Sequence, residues 1–260
     1  MIAPPSDAQR ASMNSAEFAN IARCESDLWW FRGQRRVLAS VLNPLLQGRN
    51  IVNVLEAGCG TGYQSIQLGA EYGWRMFPLD LETEALRFAR AAGIERLTQA
   101  DIAQLPFQKE SFDAVVSLDV LVHFPPGAEL VAMQELVRVL RPGGLLVLRV
   151  SALDILRSRH SVFAHERQRF TRRRLTDAIS RIGIQPVRCT YANGLLLPIA
   201  LFKFRIWEPL TDQLPESGVV PVPKWLDSLL YCALHIESAL FNTGLNMPFG
   251  QSLVLVGEKT

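Results

Sequence analysis

The run Val54-Leu55-Glu56-Ala57-Gly58-Cys59-Gly60-Thr61-Gly62 constrains this chain more than any other stretch, because an apolar strand breaks there into a glycine loop that opens a helix. The loop is spaced G-x-G-x-G, and Glu56 stands two positions ahead of it. The dinucleotide fingerprint is instead G-x-G-x-x-G and brings a helix N-terminus against a pyrophosphate. A carboxylate ahead of the loop repels a diphosphate and suits a ligand whose nearest groups are cations, an ammonium and a sulfonium. The loop therefore marks a nucleotide-like cofactor site and argues against a nicotinamide dehydrogenase.

Strand and helix patterns alternate around this loop: strand 51–56, helix 61–71, strand 74–79, helix 82–92, a short strand near 96–99 and strand 112–118. Alternation of this kind predicts a parallel sheet wrapped by helices. A helix over about 128–140 stops at Arg141-Pro142-Gly143-Gly144, ahead of an apolar strand 145–150. A helix over 171–182 is closed by Gly183, strand 185–191 follows, and 252–256 reads as a short last strand. Before the core, residues 1–14 read as a loose tail, with helices over 15–27 and 35–46.

With 260 residues, 48% of them hydrophobic, the chain can bury a sizeable core, and a net charge of +2 is too mild to announce a nucleic-acid partner. The four cysteines lack metal-ligand or paired spacing, and the N-terminus lacks a basic-then-apolar signal, which points to a reduced, cytoplasmic protein with no metal. The longest apolar stretch, 195–202, is interrupted by Pro198 and followed by Lys203, well short of the roughly 18 residues of a spanning helix. No transmembrane segment is expected.

Asp80 closes the second strand eighteen residues beyond Gly62, a separation at which a carboxylate accepts hydrogen bonds from ribose hydroxyls; it also reads as an ordinary helix N-cap. Asp101, followed by Ile102, ends the third strand region and is a candidate acceptor for an adenine amino group, with Ile102 packed on the ring. Glu56, Asp80 and Asp101 thus stand at the C-terminal ends of successive parallel strands, along the crevice where open α/β sheets bind ligands.

On the residues Val54 to Gly62, Asp80, Asp101-Ile102, Phe112 to Asp119 and Val139 to Gly144, the chain resembles the class I S-adenosylmethionine-dependent methyltransferases. The resemblance implies a Rossmann-like seven-stranded sheet of order 3-2-1-4-5-7-6 with the last strand antiparallel. It implies S-adenosylmethionine as cofactor and S-adenosylhomocysteine as product. Glu56, Gly58, Cys59, Gly60 and Gly62 would face the methionine moiety, Asp80 the ribose, Leu81 and Ile102 the adenine faces and Asp101 its amino group. Ser117 and Leu118 would lie beside the sulfonium. One departure is Pro78, where the family commonly carries glycine and which removes a backbone donor. Ser117-Leu118-Asp119-Val120 stands where enzymes that methylate adenine or glutamine amides show Asn-Pro-Pro-Tyr, so a small molecule, sugar or lipid is the expected acceptor class.

A sulfonium is already an activated methyl donor, so alignment is the protein's main contribution to the reaction. For a hydroxyl acceptor a base helps, and His123, just past the fourth strand, is the best-placed candidate; its alternative is a histidine that bonds the loop or lines the pocket. Asp119 is a second candidate base, with capping as its alternative.

Three further segments face the same edge of the sheet. Trp29-Trp30-Phe31-Arg32-Gly33-Gln34-Arg35 reads as a lid or as aromatic anchors, with Arg32 or Arg35 able to pair with the cofactor carboxylate and Trp29 and Trp30 candidates for the acceptor. It also resembles a methyltransferase subgroup associated with bacterial glycan or secondary-metabolite assembly. A basic stretch runs from Arg157 through Arg159, Arg167, Arg169, Arg172 and Arg173 to Arg174, interleaved with His160 and His165. It reads either as a solvated face or as a grip on an anionic group, with His165, Arg169 and Arg172 as the candidate contacts. Finally, the chain from Asn193 to Gly250 is much longer than a turn between antiparallel neighbours and is apolar, with Asp227, Tyr231, His235 and Ser238 in a polar stripe at helical spacing. It would cap the pocket, form a dimer surface or lie on a membrane.

The organisation expected is a helical N-terminal lid over 1–48, a cofactor-binding α/β core over 49–192, a helical cap over 193–250, and the last strand and tail over 251–260. The expected activity is methyl transfer from S-adenosylmethionine to a small, partly apolar acceptor with an anionic group, oxygen favoured, in a monomer or homodimer without nucleic acid. The alternatives are a non-catalytic S-adenosylmethionine-binding regulator and an RNA methyltransferase.

Overall fold

The computed structural model describes residues 12–211 and 213–260, so most of the tail expected over 1–14 lies outside the described residues. Seven strands form one sheet in the order β3-β2-β1-β4-β5-β7-β6: β1 (Asn53–Ala57), β2 (Arg75–Asp80), β3 (Thr98–Gln99), β4 (Phe112–Leu118), β5 (Leu140–Ser151), β6 (Ile184–Ala192) and β7 (Ser252–Lys259). β7 is antiparallel to both its neighbours, β5 and β6, and the remaining pairs are parallel. Both faces of the sheet are covered, which is why the central strands are almost continuously apolar. Leu55, Val115, Leu146, Leu148 and Leu253 pack beneath α5 (Glu129–Val139) and α7 (Arg172–Ser180). On the other face Val54, Val116, Val147 and Val254 pack against α2 (Trp29–Leu46) and α3 (Tyr63–Tyr72). Each fully buried leucine or valine contributes about 1.5–3 kcal/mol, so this two-sided core dominates stability.

Pro78 is accommodated: the β1–β2 register runs unbroken from Asn53–Arg75 to Ala57–Leu79, with Pro78 opposite Glu56. Three boundaries differ from the sequence expectation. β5 already begins at Leu140, which pairs with Phe112 across a register shift, so Arg141 to Gly144 end α5 yet remain within the strand. β7 runs on to Lys259 because a strand on each side satisfies its backbone. The second helix starts at Trp29 rather than near residue 35, which brings the whole aromatic and basic cluster into α2.

The N-terminal segment folds onto the cofactor loop. α1 (Ser15–Cys24) lies beside α4 (Thr83–Ala91), and Phe18 Cε1 is 4.0 Å from where a β-carbon on Gly60 would stand. Between β6 and β7 the chain forms a helical run made of α8 (Leu197–Phe202), a π-helical turn (Lys203–Trp207) and α9 (Glu208–Leu210), then the long α10 (Lys224–Asn242). A short α6 (Arg159–Phe163), opened by a Ser158–Ser161 capping box, was not anticipated from sequence. α10 packs along α2, where Gly33 lets the axes close: a β-carbon there would stand 2.1 Å from Leu234 Cδ1.

Candidate functional site

The glycine loop is fastened to β2 from both sides. Gly58 N and Cys59 N donate to the Leu79 carbonyl at 2.9 and 2.8 Å, and Gly60 N donates to Asp80 Oδ2 at 2.8 Å. The other Asp80 oxygen accepts from Glu82 N at 2.9 Å; Glu82 itself is the N-cap of α4, so Asp80 braces the turn before the helix instead of capping it, and its carboxylate faces the loop. Gly58 and Gly62 are required twice over. Each has positive φ, +87° and +80°, and a β-carbon would stand 2.2 Å from Val120 Cγ2 at the first and 2.5 Å from Ile94 Cδ1 at the second. Burial holds the Cys59 thiol protonated, far above its ordinary range, so it is no nucleophile.

Glu56 is 2% exposed on the α2 face of the sheet, and its carboxylate accepts from Ser65 Oγ. Burial pushes its pKa up to about 8, the Ser65 hydroxyl opposing this and Asp80 adding to it. A buried carboxyl in this state is completed by a cation. On α2, which covers this face of the sheet, stands a residue that sequence reasoning passed over. Gln34, 2% exposed, lies one turn before Val37 and Leu38 on the core-facing side of α2, and both its amide nitrogen and its amide oxygen lack hydrogen-bond partners. Its neighbour Arg35 lies over the Tyr63 ring at 4.9 Å, and Tyr63 directly follows the glycine loop. A buried carboxyl short of a cation, and on the helix that covers the same face of the sheet a buried amide short of both an acceptor and a donor, suit the ammonium and carboxylate of an amino-acid group, as the methionine end of S-adenosylmethionine carries. The only signal for Gln34 in the sequence was a polar residue at helical spacing from Val37, Leu38 and Val41, on the apolar face of α2.

Among the remaining predicted contacts, Ser117 is buried and its hydroxyl donates to the Ala57 carbonyl at 2.9 Å, clasping β4 to β1, with Leu118 half-buried next to it. Asp101 Oδ1 accepts from Ala103 N at 2.8 Å, Ile102 is buried, and the Leu81 carbonyl accepts from Gln99. These residues line the C-terminal edge of the sheet in the order the sequence implied.

His123 ends the short turn Leu121–His123. Its Nδ1 stands 3.3 Å from the carbonyl oxygen of His165, a residue with φ of +57°. A carbonyl only accepts, so Nδ1 carries the proton and Nε2 keeps a free lone pair. Burial lowers the His123 pKa, which keeps the ring neutral.

Other predicted side chains are committed elsewhere. Asp119 pairs with Arg149 through Nε at 2.8 Å and Nη2 at 2.7 Å, so one of its oxygens is occupied by two guanidinium N–H groups. Arg32 turns to α10, pairing with Asp227 and lying over Tyr231 at 4.5 Å, so it does not reach toward the cofactor loop. Trp29 and Trp30, edge to face at 5.5 Å, are half-buried beside the same contact. The arginine stretch is largely consumed by internal acceptors. Arg169 bonds Glu166 and Ser161, Arg172 bonds the Met247 carbonyl and lies over Tyr191, Arg174 bonds Glu129, and Arg159 bonds Thr211. For Arg169 and Arg174 the cause is a buried carboxylate, Glu166 and Glu129 respectively, which recruits the guanidinium group, whereas Arg159 and Arg172 are held by neutral oxygens.

Comparison with known proteins agrees with this geometry. Residues 55–148 match a family model described as a methyltransferase domain. The chain is 32% identical over 164 residues to a malonyl-[acyl-carrier protein] O-methyltransferase of Herminiimonas arsenicoxydans, covering 60% of this chain and 62% of that protein. It is 37% identical over 124 residues to one of Enterobacter lignolyticus, covering 47% and 48%. The chain thus spans about half the length of the curated relatives it matches. In fold it is similar to the [4+2]-cyclase SpnF, with a TM-score of 0.59 and 14% identity, covering 96% of this chain and 97% of that one. Residues 55–148, which hold the glycine loop and the central strands, thus carry a methyltransferase domain within a seven-stranded sheet of order β3-β2-β1-β4-β5-β7-β6.

Proposed function

We propose that this chain transfers a methyl group from S-adenosylmethionine to an oxygen atom of a small, partly apolar acceptor. The observation that carries the oxygen assignment is His123, neutral, with Nδ1–H directed at the His165 carbonyl and Nε2 free. A neutral imidazole beside the end of β4 takes a proton from a hydroxyl as it attacks, whereas amines and carbanions need less help. Bound S-adenosylmethionine supplies a methyl group activated on a sulfonium. In this reading Glu56 and Gln34 hold its amino-acid end, Asp80 its ribose, and Asp101 with Leu81 and Ile102 its adenine. Gly58, Cys59, Gly60 and Gly62 let the backbone approach, and Ser117 and Leu118 wall the reacting centre. Residues 1–48 act as the lid and 193–250 as the cap that excludes water. The O-methyltransferase names of the two malonyl-carrier relatives support an oxygen acceptor. The internal pairing of the arginines removes the main argument for an anionic group on the acceptor.

The test is release of S-adenosylhomocysteine by the purified protein with panels of carboxylate, hydroxyl and amine acceptors. Oxygen-dependent release that falls about 10²–10⁴-fold in His123→Ala, with cofactor binding intact, supports the reading. Cofactor binding without release from any acceptor favours the non-catalytic regulator, and release that depends on RNA favours that substrate.

A further inference from the structure

α10 is built inside out. Toward the protein it presents Asp227, Tyr231, Glu237 and Ser238 together with Leu234 and Phe241, and the carboxylate of Glu237 is fully buried on the backbone N–H groups of Asn193 and Leu195. Toward solvent, at positions 225, 229, 232 and 236, it presents Trp225, Leu229, Cys232 and Ile236, one apolar stripe at helical spacing. Trp225 is 70% exposed and Leu229 61%. The run from α8 to α9 repeats the pattern: Ala200 is buried, while Ile199, Phe202, Ile206 and Leu210 stand outward at positions i, i+3, i+7 and i+11, with Trp207 exposed among them. Ile155 and Val162, on the adjoining turn and α6, extend the apolar surface. Large apolar side chains on two helical runs of one insertion exceed what a surface facing only water carries.

We infer that these two helices dock the protein on an anionic lipid bilayer. Among the described residues of the two helical runs the outward charges are cations, Lys203 and Arg205 flanking Phe202 and Ile206 and Lys224 preceding Trp225, while Asp154 is exposed beside Ile155. The acidic neighbours are turned inward, Asp227 to Trp29 and Arg32, and Glu208 to the backbone of Arg159. Apolar stripes edged by tryptophan, phenylalanine, lysine and arginine match the bilayer interface, where aromatic rings sit at headgroup level and cations meet anionic lipid. A second copy of the chain fits less well, because the described residues of these two helical runs offer Lys203, Arg205 and Lys224 no outward carboxylate to meet across a two-fold contact. Among the described residues no helix is long and apolar enough to cross a membrane, so the contact is with the surface. α10 begins against the first turn of α2, at the sheet edge that carries the cofactor loop, so docking would bring that edge to the headgroups.

The test is flotation of the full chain with vesicles of phosphatidylcholine, with and without phosphatidylglycerol, alongside light scattering of the protein alone. Binding to the anionic vesicles is expected, weaker by roughly tenfold or more without phosphatidylglycerol and weakened by salt. Phe202→Asp and Leu229→Asp, both at exposed positions and checked for unchanged circular dichroism, each reduce vesicle binding about tenfold or more. Lys203→Glu with Arg205→Glu abolishes the preference for anionic lipid. Absence of vesicle binding overturns the inference, as does a dimer that Phe202→Asp and Leu229→Asp dissociate. The readout needs no methyl transfer, so it stands or fails apart from the reaction proposed above.

Discussion

Asp227, on α10, accepts the backbone N–H of Trp29 at 2.7 Å and pairs with the Arg32 guanidinium one turn further on. α2 has no cap of its own, since the preceding residue is Leu28, and the missing acceptor arrives from 198 residues away. The cap helix and the lid helix are therefore one unit. Asp227→Ala is expected to cost about 1–2 kcal/mol, the usual loss of an N-cap, and Asp227→Asn less, because the amide oxygen still accepts from Trp29. Chemical denaturation measures both. Equal stability of wild type and Asp227→Ala would mean that α2 is capped in another way.

Gly33 sets the spacing of that unit. A methyl group at this position would meet the Leu234 side chain at its β-carbon as well as at its tip, so rotation alone does not relieve the clash. Gly33→Ala in the wild-type background gains helix propensity but overpacks the contact, for a net loss of about 1–2 kcal/mol. In a Leu234→Ala background, which removes the contacts at 2.1 and 3.0 Å and leaves the one to the β-carbon at 2.9 Å, the same substitution costs less. The double-mutant cycle reads the coupling directly, and additivity would rule out the contact.

Gln34 gives a trade between stability and binding. Gln34→Met removes two unpartnered buried polar atoms at nearly constant volume, and the free protein should gain about 1 kcal/mol. Affinity for S-adenosylhomocysteine should fall about tenfold or more, while 5′-methylthioadenosine, which lacks the amino-acid end, binds unchanged. Calorimetry with the two ligands separates the cases. Equal weakening of both would place Gln34 away from the amino-acid end.

Glu56 ties cofactor binding to pH. The folded free chain keeps this carboxyl protonated up to about 8, whereas an ordinary glutamate releases its proton near 4.5. The native state therefore binds the extra proton between those values, and its stability falls as pH rises across that window. A cation seated on Glu56 requires the carboxylate, so binding expels the proton and affinity rises with pH, by up to about tenfold per unit, before levelling above about 8. At pH 7, calorimetry in buffers of different ionisation enthalpy should count close to one proton released per cofactor bound, and none in Glu56→Gln. A pH-independent affinity in the wild type would show the carboxyl already ionised.

The strands and helices, the cofactor loop and the acidic residues at the strand ends were legible in the sequence because each is a local property, whereas the sheet order followed only from the family resemblance. Alternating periods of 2 and 3.6 mark the elements, and the spacing of Gly58, Gly60 and Gly62 after Glu56 marks the turn. His123 was legible as a candidate, but its neutral state and free Nε2 depend on a carbonyl 42 residues away. What the sequence could not carry was the partner of each charge. Asp119 looked like a base and Arg169 and Arg172 like a grip on a ligand, yet Arg149, Glu166 and the Met247 carbonyl take them. Arg32 looked like a cofactor contact until Asp227 came beside it. Likewise the polar stripe of α10 could not be assigned a side from sequence, and the structure turns Asp227, Tyr231 and Ser238 inward, leaves His235 exposed and sets Trp225 and Leu229 outside. Chain composition thus determined the elements and the cofactor loop, whereas tertiary packing alone decided which ionic and polar groups remain available. A buried charge must be paired, and the groups near enough to pair it are fixed by how distant segments meet.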